Sequence, residues 1–314
     1  MGAKDIAAKL FFGRPDIAAD LYNAILFDGM RVLSPDDIQE LSTEYPDYQL
    51  GARFRDITHL CKVRINGQVR YLIVGVEIQS RQDPSMVGRI LEYDGRVIKW
   101  QVRWKKRRLG DLLPVVTIVI YLGESPWRCP STLRGSVASL GEELDGLVVP
   151  DYYFHVLDMR RPPEKFVGKL FSEFNWVVNC FSHSRDKDAF LHWIVDEKST
   201  SRHSKEAVEL INQCLNFEFK IREDEEDVDM CKAARELKRE WKMEGKKEGR
   251  QEGMQKGIQK GMQEGMQKGR QEGMQKGIGW MLSLGISLDD IARVTGAKLD
   301  EISKIKTQMG LSTP

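Results

Sequence analysis

The stretch that decides the fold is DITHLCKVRINGQVRYLIVGVEIQS, residues 56–80. Two runs rich in β-branched and aromatic residues flank Asn66-Gly67, a dipeptide that strongly favours a tight turn between two strands. If the turn has two residues, the register places Asp56 opposite Glu77. The sequence therefore predicts a β-hairpin that brings two carboxylates together.

The residues around these carboxylates indicate a site on one face of the hairpin. Side chains alternate along a strand, so Glu77 and Gln79 share a face, and Asp56 joins them there. Carboxylates set directly across a ladder repel each other, whereas a divalent cation between them would turn the repulsion into binding. The alternative is an exposed acidic pair on an edge hairpin. The apolar run Leu72–Val76 argues against such an edge.

Outward from the hairpin, the chain alternates between helical and strand patterns. Residues 16–27 and 87–103 carry apolar side chains at helical spacing, while residues 112–121 and 151–157 have the composition of strands. Residues 164–219 are predicted to be mostly helical. The order helix, hairpin, helix, strand predicts an α/β fold in preference to an all-helical or all-β fold.

Asp56, followed by Val76-Glu77-Ile78-Gln79-Ser80, resembles the signature of PD-(D/E)XK nucleases in the form where glutamine replaces lysine. Further segments are similar to the Rpn family of recombination-promoting nucleases, whose members are also described as transposases. These segments are Asn23–Gly29, Phe54–Ile57, Met86–Arg89 with Tyr93-Asp94, Leu113–Val116, and Tyr121–Gly123 leading to Trp127. The resemblance implies a PD-(D/E)XK-like core with a helical C-terminal extension.

The resemblance also implies a function, namely metal-dependent hydrolysis of DNA by an endonuclease that promotes recombination. Asp56 and Glu77 would be the ligands of Mg²⁺, with Mn²⁺ as a substitute, and Gln79 would take the place of the active-site lysine. An amide can orient water or a phosphate oxygen, but it carries no positive charge and is no base. This departure leaves open an alternative, a non-catalytic nucleic-acid-binding or scaffolding protein with a decayed nuclease core.

Positive charge is concentrated around the hairpin. Residues 51–110 contain fourteen Lys and Arg against five Asp and Glu, although the whole chain is close to neutral. One interpretation is a surface for the DNA backbone, and the other is an ordinary solvated surface. The candidate DNA-binding residues are Arg81, Arg89, Lys105, Lys106, Arg107 and Arg108.

The cysteine pattern and the lengths of the apolar segments indicate the cellular compartment of the protein. The five cysteines are scattered and form no CxxC pair, which is typical of a reducing compartment. The most apolar stretch, residues 114–123, is half the length that a bilayer requires. We therefore expect a cytoplasmic protein without a membrane partner.

After residue 219 the composition changes, and we predict three parts. Residues 1–219 form the nuclease-like domain, residues 220–277 an acidic and then glycine-periodic stalk, and residues 278–314 a small helical module resembling a helix-turn-helix. Glycine recurs every four residues along the stalk, which makes it a marginal helix that is either a flexible spacer or a site of self-association. We expect homo-oligomerisation through this tail, while groove binding by the module is an alternative.

Overall fold

The computed structural model describes residues 2–41, 56–103, 108, 110–141, 144, 148, 150–196, 202–222 and 224–310. The chain divides into two compact units, Met1–Lys238 and Arg239–Pro314. We describe each unit by itself. The predicted three-part division at residues 219 and 277 stays a prediction.

A mixed five-stranded sheet forms the centre of the first unit. The strand order is β1-β2-β3-β4-β5, with antiparallel pairing from β1 to β3 and parallel pairing from β3 to β5. The strands are β1 (Ile38–Glu40), β2 (Ile57–Ile65), β3 (Gln68–Gln79), β4 (Val115–Tyr121) and β5 (His155–Asp158). The predicted α/β class is confirmed, and β3 is a central strand, which explains the apolar run that precedes Glu77.

The hairpin of β2 and β3 has the predicted register. Its ladder runs from the pair Ile65–Gln68 at the turn to the pair Ile57–Val76. Asn66 and Gly67 both have positive φ angles, of 50° and 74°, as a tight two-residue hairpin turn requires. Local turn chemistry therefore sets the alignment of the two strands that carry the candidate site.

Three helices in the first part of the chain lie near this sheet. They are α1 (Ala3–Phe12), α2 (Pro15–Leu26) and α3 (Met86–Arg103). In α2, the hydroxyl of buried Tyr22 is 2.7 Å from Nδ1 of His59 on β2. Burial lowers the pKa of His59 to about 4, so the ring is neutral near pH 7. This histidine is a core residue.

Helix α3 is fixed to β4 and to the loop before it by buried polar side chains. Asp94 accepts a hydrogen bond of 2.9 Å from Thr117 on β4 and a second one from Tyr152. The side-chain amide of Gln101 makes two hydrogen bonds with the backbone of Leu113. It accepts from the N–H at 2.7 Å and donates to the carbonyl at 3.1 Å. These contacts satisfy polar groups that would otherwise be costly to bury.

The remainder of the first unit is mainly helical, as predicted for residues 164–219. Its elements are α4 (Glu164–Val167), α5 (Phe174–His183), α6 (Lys187–Asp196), β6 (Arg202–Ser204), α7 (Lys205–Leu215) and β7 (Asp227–Asp229). The short antiparallel pair of β6 and β7 was not predicted.

The long helix α8 (Met230–Ser283) is followed by α9 (Leu288–Thr295) and α10 (Leu299–Gln308). The glycine-periodic stretch is therefore helical throughout. In the terminal module, Ser287 Oγ caps α9 by accepting from the Asp290 backbone N–H, and Gly296 ends that helix at a φ of 70°. Both caps are typical of the residue types at these positions. The apolar cluster of the module comprises Ile278, Leu282, Ile291, Ala297 and Ile302.

Among the described residues, no helix has both the length and the apolar character needed to span a bilayer.

Candidate active site

Asp56 lies immediately before β2, one residue beyond the hairpin ladder. Its Oδ2 accepts a hydrogen bond of 2.8 Å from the backbone N–H of Ile78 on β3. Its Oδ1 lies 2.9 Å from Nζ of Lys9. The carboxylate is thus held against β3 beside Glu77, and its charge is balanced by an ammonium group.

Glu77 is on β3 and is almost fully buried, with 1% of its surface exposed. Its Oε2 lies 3.3 Å from a guanidinium nitrogen of Arg89, and Arg89 also binds Asp83 at 2.7 Å. The Arg89 guanidinium lies 5.9 Å from the centre of the Tyr93 ring, so these two residues face the same way. Burying a carboxylate is costly unless it is paired, and Arg89 supplies the pairing here.

Charge pairing also sets the protonation state of Asp83. Burial acts to raise the pKa of this carboxyl, but hydrogen bonds from Ser85 and Arg89 outweigh burial and lower it. The pKa of Arg89 is raised by its acidic neighbours even though burial opposes this. Arg89 therefore stays charged and faces inward, toward carboxylates, in place of the open phosphate-binding position that the sequence suggested.

Gln79 is the last residue of β3 and is partly buried. It pairs with Tyr121 at the end of the parallel strand β4, and its carbonyl accepts from the Leu122 N–H at 2.8 Å. Alternation along β3 puts its side chain on the same face as Glu77. The three predicted residues therefore lie at the same end of the hairpin, and a site shared by their side chains stays a prediction.

Lys9, on α1, is the site residue that the sequence reasoning missed. Its ammonium contacts Asp56 although 47 positions separate the two residues in the chain. A helix here could have been found, because Ala7, Ala8, Phe11 and Phe12 form a buried face at helical spacing. The contact with Asp56 could not, since it depends on how α1 packs against the sheet.

The other predicted basic residues are spread out. Arg81 is exposed just after β3, and Arg108 is exposed beyond α3. Lys105, Lys106 and Arg107 lie outside the described residues, as do Phe54 and Arg55 of one family-like segment. Asp28, considered as an extra acid, is 88% exposed, has a positive φ of 54° after α2 and pairs with Lys169. It belongs to a helix-end turn.

The carboxylate oxygens at the end of the hairpin are suitable ligands for a hard divalent cation, but cationic side chains already pair with them. Carboxylate oxygens are its preferred ligands, and Mg²⁺ commonly uses one or two carboxylates and completes its shell with water and substrate phosphates. Asp56 and Glu77 meet that requirement. However, Lys9 and Arg89 already balance their charge, so a metal ion would compete with these cations. No cluster of three acidic, His or Cys ligands occurs among the described residues.

The fold and this site define a class, an α/β protein that presents two carboxylates, an amide and a lysine at one end of a β-hairpin. Residues 3–193 match the family described as "Putative transposase, YhgA-like". Because this match covers more than half of the chain, the chain belongs to the YhgA-like transposase family. The resemblance to the Rpn nucleases and transposases is thereby confirmed.

A curated relative is "Recombination-promoting nuclease RpnD" of Escherichia coli O157:H7. It is 30% identical over 159 residues, which cover 47% of this chain and 60% of that protein. The match thus spans less than two thirds of the relative's length. No solved structure matches the chain.

Proposed function

We propose that this protein is a Mg²⁺-dependent DNA endonuclease with a PD-(D/E)XK-like core that promotes recombination. The observation that carries the proposal is the position of Asp56, held against β3 at the end of the β2–β3 hairpin that also bears Glu77 and Gln79. The family and the name of the relative support the same activity. We further propose a cytoplasmic location and self-association through the tail.

In this proposal Asp56 and Glu77 hold the metal ion, and Mn²⁺ can replace Mg²⁺. When bound, the ion supplies Lewis-acid activation of water and neutralises charge on the phosphate. Gln79 orients water or a phosphate oxygen through its amide. Lys9 supplies the positive charge that Gln79 lacks, because its ammonium is already at the Asp56 carboxylate. Arg89 pairs with Glu77 and fixes its orientation.

The test is cleavage of supercoiled plasmid DNA by the full chain. Cleavage should require Mg²⁺ or Mn²⁺ and stop in EDTA. Asp56→Asn and Glu77→Gln should each lower the rate at least about 100-fold, the scale of losing one group that acts in the transition state. Glu92→Gln is the matched control, because Glu92 is exposed on α3 and pairs only with a neighbouring arginine at the surface. Equal rates for all three variants would refute the assignment.

Lys9 gives a second test of the same site. Lys9→Met should lower the cleavage rate about 100-fold, and Lys9→Arg, which keeps the charge, should lower it less. If Lys9 only balanced Asp56 in the absence of metal, Lys9→Met would instead raise the affinity for Mg²⁺ and leave the maximal rate unchanged.

A second candidate function is nucleic-acid binding or scaffolding without catalysis. The pairing of both carboxylates with Lys9 and Arg89 favours it, because each of the two carboxylates has a cationic partner without a metal ion. Salt-dependent DNA binding with no metal-dependent cleavage would support this function over the first.

A further inference from the structure

A cleft of about 700 Å³ opens at the ends of β3 and β4, directly after Gln79. We call it the terminal cleft. Its charged lining residues are Lys4 from α1, Arg81 from the segment after β3, Arg160 from the segment after β5, and Glu124. Three cations therefore face one carboxylate, and they come from separate parts of the chain.

Arg160 is the residue that indicates a ligand. Its Nε is buried and has no hydrogen-bond partner among the described residues. Its other nitrogens reach only neutral oxygens, Ser184 Oγ at 2.8 Å and the Cys214 carbonyl at 3.5 Å. The adjacent Asp158 pairs with Arg161 at 3.5 Å, and no ion pair to Arg160 is found within the described part of the chain. Arg160 therefore brings to the cleft wall a positive charge that no ion pair within the described part of the chain neutralises, and such a charge suits an anion.

The protonation states in the cleft keep its charge positive. Burial lowers the pKa of Arg160, but arginine remains charged near pH 7. Burial raises the pKa of the Cys214 thiol to about 11, so this lining residue adds no negative charge. Lys4 and Arg81 are exposed at the mouth, where they can turn toward a ligand.

We propose that the terminal cleft binds a phosphate group of a nucleic-acid strand next to the candidate active site. This inference rests on the proposed function, because it treats that strand as the substrate. Helix α1 carries both Lys9, at Asp56, and Lys4, at the cleft. Their five-residue spacing corresponds to about 7.5 Å of helix rise. A strand that advances about 3.4 Å per nucleotide covers this distance within a few nucleotides.

The arrangement also favours a strand over free phosphate. Ser80 and Arg81, which line the cleft, follow directly on Gln79 in the chain, so the cleft lies beside the end of β3 that bears the candidate site. A planar guanidinium matches the geometry of phosphate oxygens, and two exposed cations at the mouth suit the next phosphates of a chain. The Tyr121-Leu122-Gly123 segment, which the sequence reasoning noted only as family-like, forms one wall.

Binding can be measured without cleavage by fluorescence anisotropy of a labelled single-stranded oligonucleotide with the full chain in EDTA. We expect Arg160→Gln and the double substitution Lys4→Gln, Arg81→Gln each to weaken binding about tenfold. The slope of log affinity against log salt should fall by about one for each phosphate contact removed. Arg160→Lys should keep most of the affinity. The control, Arg185→Gln, removes an exposed arginine outside the cleft and should bind like the parent.

Circular dichroism checks that Arg160→Gln is folded, and the exposed pair at the mouth tests the cleft independently of that buried side chain. Cleft variants that bind like Arg185→Gln would overturn the inference. Inorganic phosphate that displaces the oligonucleotide at equal molar concentration would also overturn it, because free phosphate would then be the ligand. Displacement only by nucleic acid is the expected result.

The result of this binding test can be distinguished from the result of the cleavage test of the proposed function. Glu77→Gln should abolish cleavage and bind the oligonucleotide normally. If the parent protein cleaves DNA but the cleft substitutions do not weaken its binding of the oligonucleotide, this inference alone is refuted. If the parent protein does not cleave DNA but its binding of the oligonucleotide depends on Arg160, the proposed activity is refuted and the phosphate site is supported.

Discussion

Gly123 in the sheet unit and Gly257 in the long helix show how differently the two units use the same residue. A Cβ built on Gly123 would overlap the ring of buried Tyr121, so a larger residue requires that ring to shift. A Cβ built on Gly257 would meet no atom of the described residues within 4 Å, and the same holds for each glycine of the repeat from Gly245 to Gly277. Glycine is thus a packing requirement beside the candidate site, whereas in α8 it only lowers helix propensity.

The largest expected difference between the two units concerns catalysis. Deleting residues from Lys242 onward leaves the first unit, which ends at Lys238, intact. It also leaves every proposed site residue in place. We expect the truncated protein to cleave DNA within a few-fold of the parent rate, compared with the loss of at least about 100-fold for Glu77→Gln. Plasmid cleavage and light scattering on the same samples measure rate and assembly.

A truncated protein that assembles and binds DNA like the parent but no longer cleaves would contradict this division. It would mean that the tail supplies a catalytic group. A truncated protein that cleaves but has a smaller assembly would support the tail as the site of self-association.

The second prediction compares a buried charge cluster with an exposed pair. Glu173 accepts hydrogen bonds from the Ser204 backbone and hydroxyl, both at 2.6 Å, and pairs with Arg14 at 2.9 Å. Burial opposes ionisation, but hydrogen bonds from His203 and Ser204, together with Arg14, lower the pKa of Glu173 to about 2. Glu173→Gln should therefore lower the free energy of unfolding by roughly 2–3 kcal/mol at pH 7.

The pH dependence follows from the direction of this pKa change. The contribution of Glu173 is complete above the ordinary carboxyl pKa of 4.5 and is lost as the pH falls toward about 2. Urea unfolding across this window should show a steeper loss of stability in the parent than in Glu173→Gln. Glu252→Gln is the control, because the Glu252–Lys256 pair in α8 is exposed and contributes about 0.5 kcal/mol or less.

The third prediction concerns Gly123. Gly123→Ala should lower the free energy of unfolding by about 1–3 kcal/mol, because the added methyl group overlaps the Tyr121 ring, which is enclosed by the core. The Tyr121 hydroxyl also contacts Gln82 at 3.1 Å, so its displacement should disturb the wall of the terminal cleft. Chemical denaturation followed by tryptophan fluorescence measures the change. An unchanged midpoint would show that the ring can move at no cost.

The smallest expected effect has the opposite sign. Gly257→Ala should stabilise α8 by up to about 1 kcal/mol, because alanine favours a helix and the added methyl group has open space. Circular dichroism of the full chain on heating detects the change in helix content. A loss of helicity or of assembly in Gly257→Ala would indicate that another chain packs closely against the glycines, and the comparison with Gly123 would then need revision.

The sequence by itself determined the features that depend on near neighbours in the chain. The Asn66-Gly67 turn and the alternation of side chains set the β2–β3 register, so the position of Asp56 at the same end of the hairpin as Glu77 and Gln79 could be predicted. Ser287 and Gly296 likewise marked the ends of α9 because capping is local. The helical state of α8 follows from the four-residue periodicity of its polar, apolar and glycine positions.

Only the tertiary structure decided which cations reach these carboxylates and where the cleft lies. Lys9 meets Asp56 because α1 packs near the hairpin, and the inward turn of Arg89 follows from the burial of Glu77. Arg160 joins Lys4 and Arg81 only because the ends of β3 and β5 come together with α1. Such contacts arise from the packing of distant segments, and no short-range pattern of residue types encodes them.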